Sequence, residues 1–322
     1  MDLSLIIIVF LILSVVIAFA IGANDETFAT VYGSRTLTMK QILILTTIFA
    51  IAGAFILGEA VSKTVGKGIL NMEVTHAVVI TILISTATWL IISSALGLPI
   101  STTHATIGAV LGLGLFFGGS NGLKWGTVIE MSVWWLLSPL IGYIVTYVTY
   151  KFVHKTVINK LNGFDDFEKT ERRFSYLLLI AICITAFSRA GNDCSNAVGI
   201  LAGVEEIDLN LALFLVGISF ALGIIVLGRN VIQNVGAITE LRPSTAFAAQ
   251  VPTTIILFIG TALGIPLSGS HMLVASLIGL SKAGRSPTQK GLWKIVLIWF
   301  LTFPAAGLFS ILIYFPIESF IA

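Results

Sequence analysis

The same polar motifs occur twice in this chain, in the same order and about half its length apart. Gly22-Ala23-Asn24-Asp25 returns as Gly191-Asn192-Asp193, and Gly97-Leu98-Pro99-Ile100-Ser101-Thr102-Thr103-His104 returns as Gly264-Ile265-Pro266-Leu267-Ser268-Gly269-Ser270-His271. Trp134, Pro139 and Gly142 return as Trp299, Pro304 and Gly307, and the offset stays between 165 and 168 residues throughout. Self-similarity at a held spacing is the mark of a duplicated structural unit. Between the motifs the chain is apolar: 57% of its 322 residues are hydrophobic and 11% are charged. A soluble domain carries about 25% charged residues. The polar surface here is too small to cover a soluble fold, so the unit that was duplicated belongs in a membrane.

A helix needs roughly 20 apolar residues to cross the hydrocarbon layer. Stretches near that length fall at 3–21, 41–58, 75–96, 126–150, 175–190, 208–227, 246–263 and 291–316, with shorter ones at 104–117 and 270–281. The short pair each begin at a Pro-Ser/Thr break, which predicts half-helices or re-entrant hairpins. The expected fold is an all-α polytopic membrane protein of two repeats, 1–150 and 175–322, with about five apolar segments each. A polar loop over 151–174 joins them. The first segment has no basic residue before it and a counterpart in mid-chain, so it reads as a retained helix rather than a cleaved signal.

The net charge of +2 decides little, but its distribution sets an orientation. Lys151, Lys155, Lys160, Lys169, Arg172 and Arg173 crowd the central loop, and basic loops stay on the cytoplasmic side. Five crossings either way then put both termini outside. Arg35, Lys40, Arg229, Arg242, Lys282, Arg285 and Lys290 fall inside by the same count, and Glu205, Glu206 and Asp208 fall outside. Lys63, Lys67, Lys124 and Arg189 depart from the pattern. An odd number of crossings per repeat makes the second half enter the membrane in the opposite sense. Inverted repeats of this kind support alternating access, so a secondary transporter is expected.

Asn24-Asp25 and Asn192-Asp193 each interrupt or end an apolar segment beside a glycine. A carboxylate in lipid costs about 2.5–3.5 kcal/mol on insertion scales, so it must face a cavity or a partner. Asn and Asp oxygens are hard ligands suited to a hard cation. Pro99 and Pro266 are followed by Ser101, Thr102 and Thr103, and by Ser268, Gly269 and Ser270, at the start of a short helix. Helix N-termini present free N–H groups and the positive end of the dipole, and hydroxyls add donors, so the pair reads as an anion site. Gly269 lets backbone approach a ligand closely. His104 and His271 follow the serines by three positions. Capping or packing accounts for them more simply than a nucleophile and its base, and no enzyme is expected. Gln233, Gln250, Glu59 and Glu73 are further polar residues of these segments. Glu73 reads equally as an ion ligand or as an interfacial residue. The tryptophans sit mostly near segment ends, as an interfacial belt would. Cys183 and Cys194 have no metal-ligand spacing and form no disulfide framework, which leaves them as packing residues. Nothing suggests a P-loop, a zinc site, an organic cofactor or a nucleic-acid partner.

Taken together, these motifs resemble the inorganic phosphate transporter (PiT) family, related to the animal sodium–phosphate symporters, over nearly the whole chain. Gly191-Asn192-Asp193-Cys194-Ser195-Asn196-Ala197 and the stretch from Gly236 to Ser244, followed by Phe247-Ala248-Ala249, carry the resemblance along with the two Gly-x-Pro-x-Ser-x-x-His segments. The chain departs from the family pattern where Phe28 replaces an asparagine, where Gln233, Gln250 and Lys63 stand for glutamates, and where Ser268-Gly269-Ser270 stands for Ser-Thr-Thr. The resemblance implies a phosphate importer of the cell membrane driven by a cation gradient, usually Na+ and in some bacterial members H+. It also implies pairing into a homodimer among membrane lipid. Two aspartates and a phosphate dianion repel strongly at low dielectric. Cations must therefore arrive with the anion, which is a positive coupling between the two ligands. On this reading Asn24, Asp25, Asn192 and Asp193 form the centre of the cation and phosphate site. Asn196 completes a sodium site, and Ser101, Thr102, Thr103, Ser268, Gly269 and Ser270 donate to phosphate oxygens. Oxygen-rich surroundings favour Na+ over H+. The competing readings are a symporter of another oxyanion such as sulfate, a passive anion channel, and an intramembrane hydrolase built on Ser101 and His104.

Overall fold

In a bilayer every backbone N–H and C=O must be bonded within the protein, which leaves helices as the solution for long apolar segments. The computed structural model describes residues 3–95, 100–203, 207–287 and 292–321. Among them the chain forms twelve α-helices, and its one extended pairing is a single antiparallel bridge between Leu70 and Leu123. In order these are α1 (Leu3–Ala23), α2 (Ala29–Gly33), α3 (Met39–Lys67), α4 (His76–Ala95), α5 (Thr102–Gly118), α6 (Trp125–Thr156), α7 (Phe164–Val198), α8 (Leu209–Gly223), α9 (Arg229–Gly236), α10 (Pro243–Ala262), α11 (Gly269–Gly284) and α12 (Leu292–Ile321). Each of the ten expected apolar segments lies on a helix within a residue or two. Among the described residues, eight helical stretches are long and apolar enough to cross a membrane. α8 runs through a π-helical turn, Ile224–Gly228, into α9.

Residues 151–174, expected as a loop, are mostly helical: α6 continues to Thr156 and α7 begins at Phe164. Lysines and glutamates are good helix formers, and Asp165 and Asp166 occupy the first turn of α7, where the dipole favours negative charge. Glu171 then accepts from Ser244 N at 2.9 Å and from Ser244 Oγ at 2.6 Å. That carboxylate ties the start of α7 to the first turn of α10.

The helices pack in matching couples. α1 lies on α8 as α3 lies on α7, α5 on α12 as α11 on α6, and α4 on α12 as α10 on α6. Each couple exchanges a first-half helix for its second-half counterpart. Where α1 crosses α8, Gly22 faces the Phe220 carbonyl; where α3 crosses α7, Gly53 faces that of Phe187. A side chain at either glycine would overlap backbone, so both crossings need bare Cα atoms. Both lie close to an Asn-Asp motif. Polarity runs from outside in: Leu136, Phe300 and Leu312 are 66%, 68% and 73% exposed, while Asp25, Glu26, Arg189, Asn192 and Asp193 are buried. Gly97, Leu98 and Pro99 of the first Ser/Thr break lie outside the described residues, as do Glu205, Glu206 and Lys290.

Candidate functional site

The first Asn-Asp motif is a true break. α1 stops at Ala23, and a tight turn follows in which Asn24 N bonds Ile21 O and Asp25 N bonds Gly22 O, both at 3.1 Å. Asp25 Oδ1 accepts from Thr27 N at 2.5 Å, the local bond by which an aspartate stabilises a turn. The second motif differs. Asn192 and Asp193 sit inside α7, which runs unbroken to Val198, so the expectation that both pairs interrupt or end a segment holds for the first copy alone. Ser195 helps hold this end of α7, with its hydroxyl donating to Gly191 O and, from α7 to α3, to Gly58 O at 2.7 Å.

Arg189 occupies the space between the two motifs. One turn before Asp193 on α7, its Nε donates to Asp193 Oδ2 at 3.1 Å and lies 3.8 Å from Asp25 Oδ1. Its Nη2 lies 2.7 Å from Glu26 Oε1 and donates to Ser270 Oγ at 3.0 Å. Three carboxylates from both halves therefore surround one guanidinium at a site no more than a few per cent exposed. Burying unpaired charge would cost several kcal/mol per ion, and the planar fork of Arg can serve several oxygens at once. Sequence reading set Arg189 aside as a basic residue on the unexpected side of the membrane; it is instead a buried member of the site. Glu26 was missed altogether. The available signals were a lone basic residue inside the 175–190 stretch, four before Asp193 and so on the same helix face, and a second acid directly after Asp25.

The Ser/Thr breaks meet here as well. Ser101 accepts from His104 N at 3.3 Å and Ser268 from His271 N at 3.4 Å, capping α5 and α11 in the same way. The N–H groups of a first helical turn have no intrahelical acceptor. Thr103 Oγ1 donates to Leu267 O at 3.0 Å and accepts from Asn196 Nδ2 at 3.1 Å, so the starts of α5 and α11 touch beside α7. Asn192 holds the second break by both ends of its amide. Nδ2 donates to Leu267 O at 2.8 Å and Oδ1 accepts from Leu267 N at 3.0 Å, while Nδ2 also reaches Asp193 Oδ1 at 3.0 Å. Gly269 does admit close approach, to a protein group: a Cβ there would lie 3.0 Å from the Arg189 guanidinium carbon.

Of the residues chosen from sequence, Asp25, Asn192, Asp193, Asn196, Thr103, Leu267-linked Ser268, Gly269 and Ser270 are drawn into this contiguous cluster. Ser101 caps α5, Thr102 is half-buried in its first turn, and Asn24 is buried in the turn after α1. Glu26 Oε2 and Asn196 Oδ1 are buried acceptors with no hydrogen-bond partner among the described residues, and each would be satisfied by a cation or a water.

His104 and His271 stack edge to face at 4.4 Å between ring centres. Trp135 and Phe303 pack on His104, and Trp299 packs on His271 at 3.9 Å. These two tryptophans line the helix starts rather than an interfacial belt, and Trp135 Nε1 donates to Pro266 O at 2.8 Å. One turn of α7 on the other side of Arg189, Gln250 of α10 links Thr30 of α2 (2.8 Å) to Thr185 of α7 (2.9 Å). Beyond α2 lies a cavity of about 1130 Å³ lined by Tyr32, Arg35, Gln41, Gln233, Thr239 and Arg242, among others.

The chain matches the phosphate transporter family over residues 21–310. It is similar to a solved structure titled the sodium-dependent phosphate transporter, with 26% identity, a TM-score of 0.89, and coverage of 97% of this chain and 99% of that one. A Pyrococcus furiosus protein assigned as a phosphate permease is 28% identical, covering 96% of this chain and 95% of the relative. The chloroplastic inorganic phosphate transporter 2-1 of Arabidopsis thaliana is 24% identical over 94% of this chain and 71% of its own length.

Proposed function

The chain belongs to the phosphate transporter family, and from that premise we propose that it imports inorganic phosphate across the cell membrane by symport with Na+, through alternating access of two inverted repeats. The observation that carries this reading is the meeting of the α5 and α11 starts, with their hydroxyls and first-turn amides, against three buried carboxylates and one guanidinium. Phosphate is held by the amides and hydroxyls of Ser101, Thr102, Thr103, Ser268, Gly269 and Ser270, aided by two helix dipoles. Na+ binds among oxygens of Asn24, Asp25, Asp193 and Asn196, joined by Glu26, with Asn192 fixing the second break at Leu267. The carboxylates repel the anion until cations are present, and this makes the binding of the two ligands mutually dependent. The matching couples of helix packing support a two-fold relation between the halves. The bias of basic residues toward these loops supports a cytoplasmic side for residues 151–174 and the Arg35–Arg242 cavity, with both termini outside.

Purified protein in liposomes tests the proposal. An inward Na+ gradient without a pH gradient drives accumulation of radiolabelled phosphate above equilibrium, and excess sulfate leaves it unchanged. Accumulation driven by a pH gradient alone would replace Na+ by H+. Flux that never exceeds the phosphate electrochemical gradient would replace the symporter by a channel.

A further inference from the structure

We propose that Arg189 is a tethered counter-cation: it holds, permanently and from within the chain, a positive charge that a coupling Na+ would otherwise have to supply. The inference rests on the Na+-coupled phosphate reading above and concerns how many ions that coupling uses. Sequence alone suggested bare aspartates awaiting cations. The geometry differs, because the guanidinium already contacts Asp193 (3.1 Å) and Glu26 (2.7 Å) and lies 3.8 Å from Asp25. With all groups ionised, three negative charges meet one positive charge, so the cluster still calls for added cations but for one fewer than its carboxylates would require. The same guanidinium bonds Ser270, in the first turn of α11. One positive charge thus touches both the groups that call for cations and a hydroxyl expected to hold the anion. Gly269 supports the assignment from the other side, since any larger residue would crowd the guanidinium. A guanidinium stays protonated throughout the physiological range, so this charge does not leave with the transported ions.

The experiment measures initial phosphate uptake against Na+ concentration in liposomes, together with the charge moved per phosphate, for wild type, R189Q, R189K and the double variant R189Q/E26Q. In R189Q the Na+ dependence steepens by about one ion, and half-saturating Na+ rises at least about fivefold, the lower end of an ordinary coupling free energy. R189K keeps the wild-type Na+ order. The double variant returns to the wild-type order, because one positive and one negative charge are removed together. Removing both partners of a buried pair is also far gentler than removing one, so the double variant is informative even where R189Q fails to fold. Were Arg189 merely structural, R189Q would lower the maximal rate with no change in Na+ order, and the double variant would lose an ion that Glu26 had held; either result overturns the proposal. Wild-type protein that moves no phosphate under any Na+ gradient would instead defeat the symport reading on which it rests.

Discussion

In the first half Asn24-Asp25 lies where α1 has ended, whereas in the second half Asn192-Asp193 lies within α7. The two copies share their letters but not their backbone. The first copy places Asp25 and Glu26 on a turn that a Thr27 amide pins in position. The second sets Asp193 one helical turn from Arg189 and uses Asn192 to hold Leu267. A further asymmetry sits three residues after each aspartate: Phe28 packs in the hydrophobic core, while Asn196 reaches Thr103 of the opposite half. The two copies of the motif thus differ in backbone: one carries its carboxylates on a buried, hydrogen-bonded turn and the other on a helix with its own cation. A site built this way responds differently to the same change made on its two sides.

The largest effect is expected where the two copies still agree. Asp25→Asn and Asp193→Asn each leave Arg189 with two carboxylates, so the buried cation stays paired and the fold survives. Each removes an anionic ligand of the proposed Na+ site, and Na+-driven phosphate uptake should fall by about a hundredfold. Uptake in liposomes, with thermal melting in detergent as the control on folding, measures both. If one variant transports normally while melting like wild type, the site is one-sided and the comparison between copies fails at its centre.

A smaller, asymmetric effect is expected from the asparagines. Asn192→Ala strips the buried Leu267 N–H of its acceptor, at roughly 1–3 kcal/mol, and leaves Leu267 O with the Thr103 hydroxyl alone. Asn24→Ala alters a turn whose bonds are made by backbone, and less than about 1 kcal/mol is expected there. Parallel unfolding of the two variants should show a clear drop in melting temperature for the first and little for the second. Equal drops would mean that the second-half asparagine does not hold the α11 start as the geometry indicates.

Much of this architecture was legible because lipid permits so few solutions. The apolar segments, their breaks at Pro-Ser/Thr and the duplication follow from backbone satisfaction and self-similarity, and the helices fall where those signals place them. Whether a motif breaks its helix was not legible. Gly-Asn-Asp is compatible with a turn after Ala23 and with continuation to Val198, and the letters alone do not separate the two. Arg189 was visible only as a charge in an unexpected place. Its partners Asp25 and Glu26 come from the other half of the chain, and nothing local in the sequence joins them. The same holds for Leu267, whose two backbone groups find Asn192 75 positions away.

The smallest effect, from Gly269→Ala, separates the position of the guanidinium from its charge. The added Cβ would sit 3.0 Å from the guanidinium carbon and Nε and 3.1 Å from Nη1, closer than such contacts ordinarily run. The side chain of Arg189 can yield a few tenths of an ångström, and overpacking of this kind costs about 1 kcal/mol at the lower end of its range. The shift moves the guanidinium away from α11. Its bond to Ser270 therefore weakens while Asp193, on its own helix, follows it. About fivefold weaker apparent phosphate affinity is expected, in line with that energy, and the Na+ order should stay as in wild type because no charge has been removed. Phosphate saturation curves at several Na+ concentrations distinguish the two quantities. A changed Na+ order in this charge-neutral variant would show that ion counting depends on the exact placement of Arg189 as well as on its presence, and the second-half helix would then be a sensor of the first-half turn rather than a fixed support for it.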